Sequence, residues 1–175
     1  MAIVEQEVAR TNPRIRLRGA PGIQMLDTAT VEAIPWTDSD TFPGMSYKYL
    51  KVDLGTGFDI TLMKIQRGVQ LPVHVHYSET AMYCIKGRFS YEPAGSIGAG
   101  GFGFEPYGII HEPDAATEEE TIVLLINFAS GLVQLYNEDG TPGVISHVEL
   151  LLKEARRKNG DAAIAHLNLP DHIWD

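Results

Sequence analysis

His74 and His76 are separated by one valine, and a third histidine, His111, follows the corner Pro106-Tyr107-Gly108. On a strand, residues two apart project from one face, so the first two imidazoles enter a common space. Two neutral nitrogen donors on one rigid strand make half a site for zinc, iron, nickel or copper. Taken alone, such a pair is more often two histidines on a half-wet strand. Its surroundings argue otherwise. Gly68 precedes His74 with five residues between, Lys86-Gly87 turns the chain one strand later, and Gly100 precedes Pro106 again with five between. Glycines at those points turn each hairpin, and the proline-glycine corner aims His111 from a neighbouring strand back towards the first pair.

These residues need rigid strands to hold them, and the chain offers many. Segments 47–54 and 58–65 alternate apolar and polar residues on either side of Gly55-Thr56-Gly57, the pattern of a hairpin. Further strand-like runs cover 70–76, 80–85, 89–92, 102–105, 121–129 and 132–137, divided by Gly- and Pro-rich turns. About ten short strands at this spacing predict an all-β sandwich or barrel of two packed sheets. The stretch 27–46 carries Val31, Ile34 and Trp36 among turn residues. One C-terminal α-helix is expected. Ser146 with Glu149 reads as a capping box, Val148, Leu151, Leu152 and Ala155 mark one face, and Gly160 is the stop. The 175 residues thus predict one domain, with an N-terminal arm and edge strands (1–45), a core barrel (46–137) and a C-terminal helix and tail (146–175).

Composition narrows the partners. With 44% hydrophobic and 21% charged residues the chain is ordinary for a soluble globular protein. No apolar run reaches membrane-spanning length, and residues 1–10 hold no apolar stretch of the secretory kind, so the cytosol is the expected compartment. The single cysteine, Cys84, excludes an internal disulfide and a cysteine zinc cage. Fourteen basic against 23 acidic residues give a net charge of −9, which repels nucleic acid and anionic lipid. Arg14, Arg16 and Arg18, and Lys153, Arg156, Arg157 and Lys158, read as solvated faces. A small molecule or a protein is the expected partner. Because Ile15 and Leu17 alternate with those first arginines, 14–18 reads as an edge strand or an exchanged arm, and a homodimer at least is expected.

The two histidine segments resemble the two signature motifs of the cupin superfamily, G-x5-H-x-H and G-x5-P-x-G-x2-H, from Gly68 to Ala115. The resemblance implies a jelly-roll barrel in which His74, His76 and His111 bind a metal. Two positions depart from the pattern. Thr80 stands where the family has a glutamate, and Glu79, one residue off, points to the opposite face unless a bulge shifts the register. Ala115 stands where an asparagine often closes the second motif. With Glu105 six residues before His111, the chain is similar to the branch of iron(II) dioxygenases that cleave a carbon–carbon bond beside a carbonyl, such as those acting on acetylacetone. On that likeness Glu105 is the candidate catalytic residue, orienting a ligand imidazole or taking a proton. Glu92 is the candidate fourth ligand.

Three neutral imidazoles leave the charge of a divalent metal uncompensated, which favours an anionic, bidentate guest such as an enolate. With Fe(II) the implied activity is a dioxygenase acting on a β-diketone or α-hydroxyketone. With zinc or nickel it is a non-redox isomerase, lyase or hydrolase, and a metal-stabilised sensor or binding module is a third reading. Tyr77, Met82 and Tyr107 are pocket candidates, although packing is the plainer role for both tyrosines. Met82, Cys84, Phe89, Tyr91, Phe102 and Phe104 read mostly as core. Arg88 reads as a solvated strand end, and His147, His166 and His172 have no functional reading.

Overall fold

Strand β3 (Phe58–Ile65) shows how the barrel interior is made. Its residues alternate between two faces, and the fully buried ones are Asp59, Thr61, Met63 and Ile65, with Phe58, Ile60 and Leu62 half-buried on the other side. The inward face is apolar at one end and polar at the other. In the computed structural model the chain is described over residues 24–91, 94–115 and 119–174. The arm 14–18 and Glu92 lie outside the described residues.

A short helix α1 (Thr28–Ala33) leads into β1 (Thr37–Asp38), β2 (Met45–Asp53) and β3. Then follow β4 (His74–His76), β5 (Thr80–Lys86), β6 (Arg88–Tyr91), β7 (Gly95–Gly98), β8 (Phe102–Glu105), β9 (Ile110–His111) and β10 (Asp114–Ala115). Strands β11 (Thr121–Asn127), β12 (Leu132–Tyr136) and β13 (Pro142–His147) precede helix α2 (Val148–Asn159) and three short 3-10 turns. All strand pairs are antiparallel. They form a six-stranded sheet β1-β2-β3-β11-β5-β8, a four-stranded sheet β13-β12-β4-β9, and a three-stranded sheet β10-β6-β7. This is the all-β barrel with a C-terminal helix that the strand spacing predicts. Among the described residues no helix is long and apolar enough to cross a membrane.

One core cluster joins the sheets to α2, through residues such as Tyr47, Ile65, Phe89, Val123 and Leu152. Each large side chain buried there contributes about 1.5–3 kcal/mol. Gly87 makes the tight turn between β5 and β6 possible. Its φ is +75°, and a Cβ there would lie 2.7 Å from the Glu120 carbonyl oxygen, so no other residue fits without strain.

Several expectations need correction. Helix α1 replaces an expected turn region; Asp27 caps it by accepting from Thr30 N–H at 2.8 Å, and none of its residues is buried. Strand β7, Gly-Ser-Ile-Gly, has little strand preference of its own and exists by pairing with β6. Residues 70–73 do not extend β4, since Pro72 has no N–H to donate. The capping box at Ser146 is not formed. Strand β13 continues through Ser146, whose side chain faces the interior, and His147 caps α2 by accepting from Leu150 N–H at 3.4 Å. Phe102 and Phe104 are not core; they are 64% and 51% exposed because β8 turns Gly103 and Glu105 inward instead.

The helix is fastened by a buried glutamate. Tyr47 Oη donates to Glu154 Oε2 (2.8 Å) and to the Leu151 carbonyl (2.7 Å), and Asp40 N–H donates to Glu154 Oε1 (2.7 Å). Burial and the adjacent Glu154 push the Tyr47 hydroxyl far above the ordinary phenol range, so it stays a donor. Glu154→Ala removes the acceptor of the Asp40 N–H and one acceptor of the buried Tyr47 hydroxyl, and should lower stability by about 1–3 kcal/mol. Urea unfolding reads that loss, and metal content should stay unchanged.

Candidate metal centre

Pairing of β4 with β9 sets His74 directly opposite His111. His76, two residues along β4, shares the inward face. The Gly108 N–H, at a φ of +78°, donates to the His76 carbonyl at 3.1 Å and so ties the proline-glycine corner back to β4. The result is three rings with ligand atoms all within 4.8 Å of one another. The Nε2 atoms of His74 and His111 are 2.9 Å apart. Two nitrogens each about 2.1 Å from one ion, at a right angle, would stand about 3.0 Å apart.

The donors are in the right state. His74 Nδ1 donates to the Pro72 carbonyl at 2.6 Å, which leaves its Nε2 lone pair facing the cluster. Burial lowers the pKa of all three rings. That of His76 falls well below the usual histidine range, and that of His111 falls to about 3. Neutral imidazole is the form that binds a metal. His111 Nδ1 has no hydrogen-bond partner among the described residues. The residues present therefore fit a divalent ion.

Glu105 stands beside the cluster and is 7% exposed. Its Oε1 accepts a short hydrogen bond from Tyr91 Oη. Its Oε2 has no hydrogen-bond partner among the described residues and lies 3.6 Å from His76 Nε2. Burial raises the carboxyl to about 7, opposed by the Tyr91 bond. Because the histidines are held neutral, the 3.6 Å contact is not an ion pair.

The departure at Thr80 has a geometric complement. Thr80 points inward, fully buried, and Glu79 is exposed. The bulge that would exchange them is absent, since the only register shift between β5 and β11 falls at the opposite end of the strand, at Ile122/Val123. Directly across from Thr80, on β8, is Glu105. The carboxylate missing from β5 is thus present one strand away.

The cluster opens on a barrel cavity of about 80 Å³, whose walls include Phe42, Leu125 and Val133. An outer cleft of about 510 Å³ lies against it, and Tyr91, Glu105 and His111 line both. Met82 lines the outer cleft with its Sδ 3.1 Å from Tyr91 Oη. Tyr77 and Tyr107 do not line the cavity. Tyr77 follows His76 and so points away from it, and Tyr107 is 64% exposed at the corner; their rings are 6.4 Å apart. Glu92 lies outside the described residues. Tyr91, which reads mostly as core in the sequence and shares a face with Phe89, lines the cavity. Asp59 and Asn127, which carry no functional signal in the sequence, line it as well.

Comparison with known proteins agrees with this architecture. The ChrR cupin-like domain family matches residues 24–130. A protein of unknown function with a cupin-like fold from Ralstonia eutropha JMP134 is 23% identical, over 81% of this chain and 90% of that one, with a TM-score of 0.65. An RmlC-like cupin protein from the same organism is 20% identical, over 91% and 100%, with a TM-score of 0.70. An acetylacetone dioxygenase from Acinetobacter johnsonii is 13% identical, over 83% and 98%, with a TM-score of 0.64. No curated protein matches the sequence. At these identities the solved structures speak for the fold alone, and the family match covers more than half of the chain. The chain belongs to the ChrR cupin-like domain family.

Proposed function

We propose that this protein is a metal-dependent dioxygenase, with Fe(II) held by His74, His76 and His111, that cleaves a carbon–carbon bond of a small carbonyl compound. The observation that supports it is the convergence of three imidazoles beside a buried carboxylate that has no lysine or arginine partner among the described residues, on a small cavity. Bound iron would supply Lewis acidity towards the carbonyl and redox access to dioxygen. Both oxygen atoms end in the two carbonyl products, so no external reductant is needed.

The chain's own groups supply the rest. The Pro72 carbonyl fixes the tautomer and orientation of His74. Glu105 Oε2, free of any hydrogen-bond partner among the described residues, accepts the proton from the carbon beside the carbonyl. A carboxyl raised to about 7 is matched to that task near neutral pH. Tyr91 donates to the other oxygen and so holds Oε2 towards the cluster. Phe42, Leu125 and Val133 keep water away from the reacting carbon. The interior of about 80 Å³ is far below the roughly 300 Å³ at which pockets for drug-sized ligands begin, so the substrate has few heavy atoms.

A second reading, a metal-stabilised sensor or binding module without turnover, uses the same three histidines as ligands. Zinc or nickel retained against Fe(II), with no oxygen uptake over a panel of diketones and hydroxyketones, would decide for that reading or for a non-redox enzyme.

Two variants test the proposal. His76→Ala should lose iron, by metal analysis, and oxygen uptake together; iron retained at wild-type stoichiometry would overturn the ligand set. Glu105→Gln should keep iron but lower turnover by about 10²–10⁴-fold. A wild-type turnover number in that variant would remove the carboxylate from the chemistry.

A further inference from the structure

The large sheet carries an inward row of four polar residues in register. Asp59 on β3 faces Asn127 on β11, Asn127 faces Thr80 on β5, and Thr80 faces Glu105 on β8. All four are buried, Asp59 with only 3% of its surface exposed. Thr80 Oγ1 donates to Asn127 Oδ1 at 3.0 Å, and Asn127 Nδ2 donates to both oxygens of Asp59 at 3.2 and 3.0 Å. Thr61 Oγ1 also donates to Asp59 Oδ1, at 2.8 Å.

A barrel that needed only packing would place an aliphatic residue at position 59. Burying a carboxylate is costly, and Asp59 has no ion-pair partner among the described residues. Its Oδ2 receives one donor, from Asn127, and so keeps capacity to accept another. Burial pushes its carboxyl up to about 6.

The facing sheet places a hydroxyl in the same cavity. Ser146 on β13 lies opposite Val133 on β12, which lies opposite His76 on β4. Ser146 is 1% exposed, and its Oγ has no hydrogen-bond partner among the described residues. Asp59, Asn127 and Ser146 line the cavity that the three histidines line. Two strand spacings, about 10 Å, separate the backbones of His76 and Ser146. A small molecule held at the histidines therefore extends towards a second polar end.

We propose that Asp59 and Ser146 form a polar subsite of the barrel cavity that takes a hydroxyl group of the substrate, distal to the carbonyl held at the histidines. The occupant is a hydroxylated ketone or diketone, whose O–H donates to the Asp59 carboxylate and whose oxygen accepts from Ser146 Oγ. This deepens the carbonyl-substrate reading given above and rests on it. An apolar diketone of equal length leaves both buried groups unpaired, and that is the basis of the selection.

The test measures binding apart from turnover. Zinc-loaded protein, which cannot pass electrons to dioxygen, is titrated calorimetrically with acetylacetone and with its terminally hydroxylated derivative. The wild type should bind the hydroxylated probe about tenfold more tightly or better, the usual scale of a hydrogen bond to a charged group. Asp59→Asn and Ser146→Ala should each bring that ratio towards one, with zinc content unchanged. Ser146→Ala removes a hydroxyl that fastens no described residue, so it keeps the test open if Asp59→Asn does not fold. Equal affinities in the wild type, or a preference that survives both variants, would overturn the subsite and leave the carbonyl reading intact. Binding of neither probe to wild-type protein would overturn the carbonyl reading and the subsite with it. A preference found in a protein whose Fe(II) form takes up no oxygen would keep the subsite and remove the dioxygenase.

Discussion

Antiparallel pairing of β4 with β9 is the constraint on which the centre depends. These strands have only three and two residues, yet their register puts His74 across from His111. Strand alternation then adds His76 to the same face. So short a pairing needs outside support. Strand β12 pairs along the other side of β4, and the Gly108 N–H holds the corner to the His76 carbonyl. The site is therefore carried by rigid sheet, with its one irregular segment tied at both ends.

Burial then sets the charge state of everything inside. It drives the histidines towards neutrality and the carboxylates of Glu105 and Asp59 towards protonation. Neither carboxylate has a lysine or arginine partner among the described residues. Groups arranged this way contribute little to stability, since their desolvation is compensated only by neutral hydrogen bonds from Tyr91, Asn127 and Thr61. Stability comes instead from the apolar cluster and from the docking of α2 through Glu154.

The histidine spacing and the longer strands were legible because glycine and proline mark the turns and strands repeat with period two, although thirteen strands form among the described residues where about ten are expected. Facing was less legible. The usual rule sends apolar residues inward, yet on β3 the inward set includes Asp59 and Thr61, and on β8 it is Gly103 and Glu105. A barrel that encloses a polar cavity inverts the rule locally. Tyr77 adjoins a ligand in sequence and so the pleat turns it away, and Tyr107 stands exposed at the corner four residues before His111. Ser146 resembles a helix cap because its spacing to Glu149 fits one, but it lies inside β13, a strand the sequence reading does not contain. Strands such as β7 exist by pairing alone and leave no local signal.

The exchange between Thr80 and Glu105 draws these points together. A carboxylate on β5 would sit beside Asn127 and join the polar row as a fixed acceptor. On β8 it meets Tyr91 instead, whose hydroxyl occupies one oxygen and leaves the other without a partner among the described residues. Thr80, the smaller residue, takes up the hydrogen bond to Asn127 that keeps the row continuous to Asp59. Moving the acid by one strand thus separates two jobs that a single glutamate would have to share. Thr80 transmits order along the sheet, and Glu105 is left on the wall between cavity and outer cleft, able to change protonation without breaking the row.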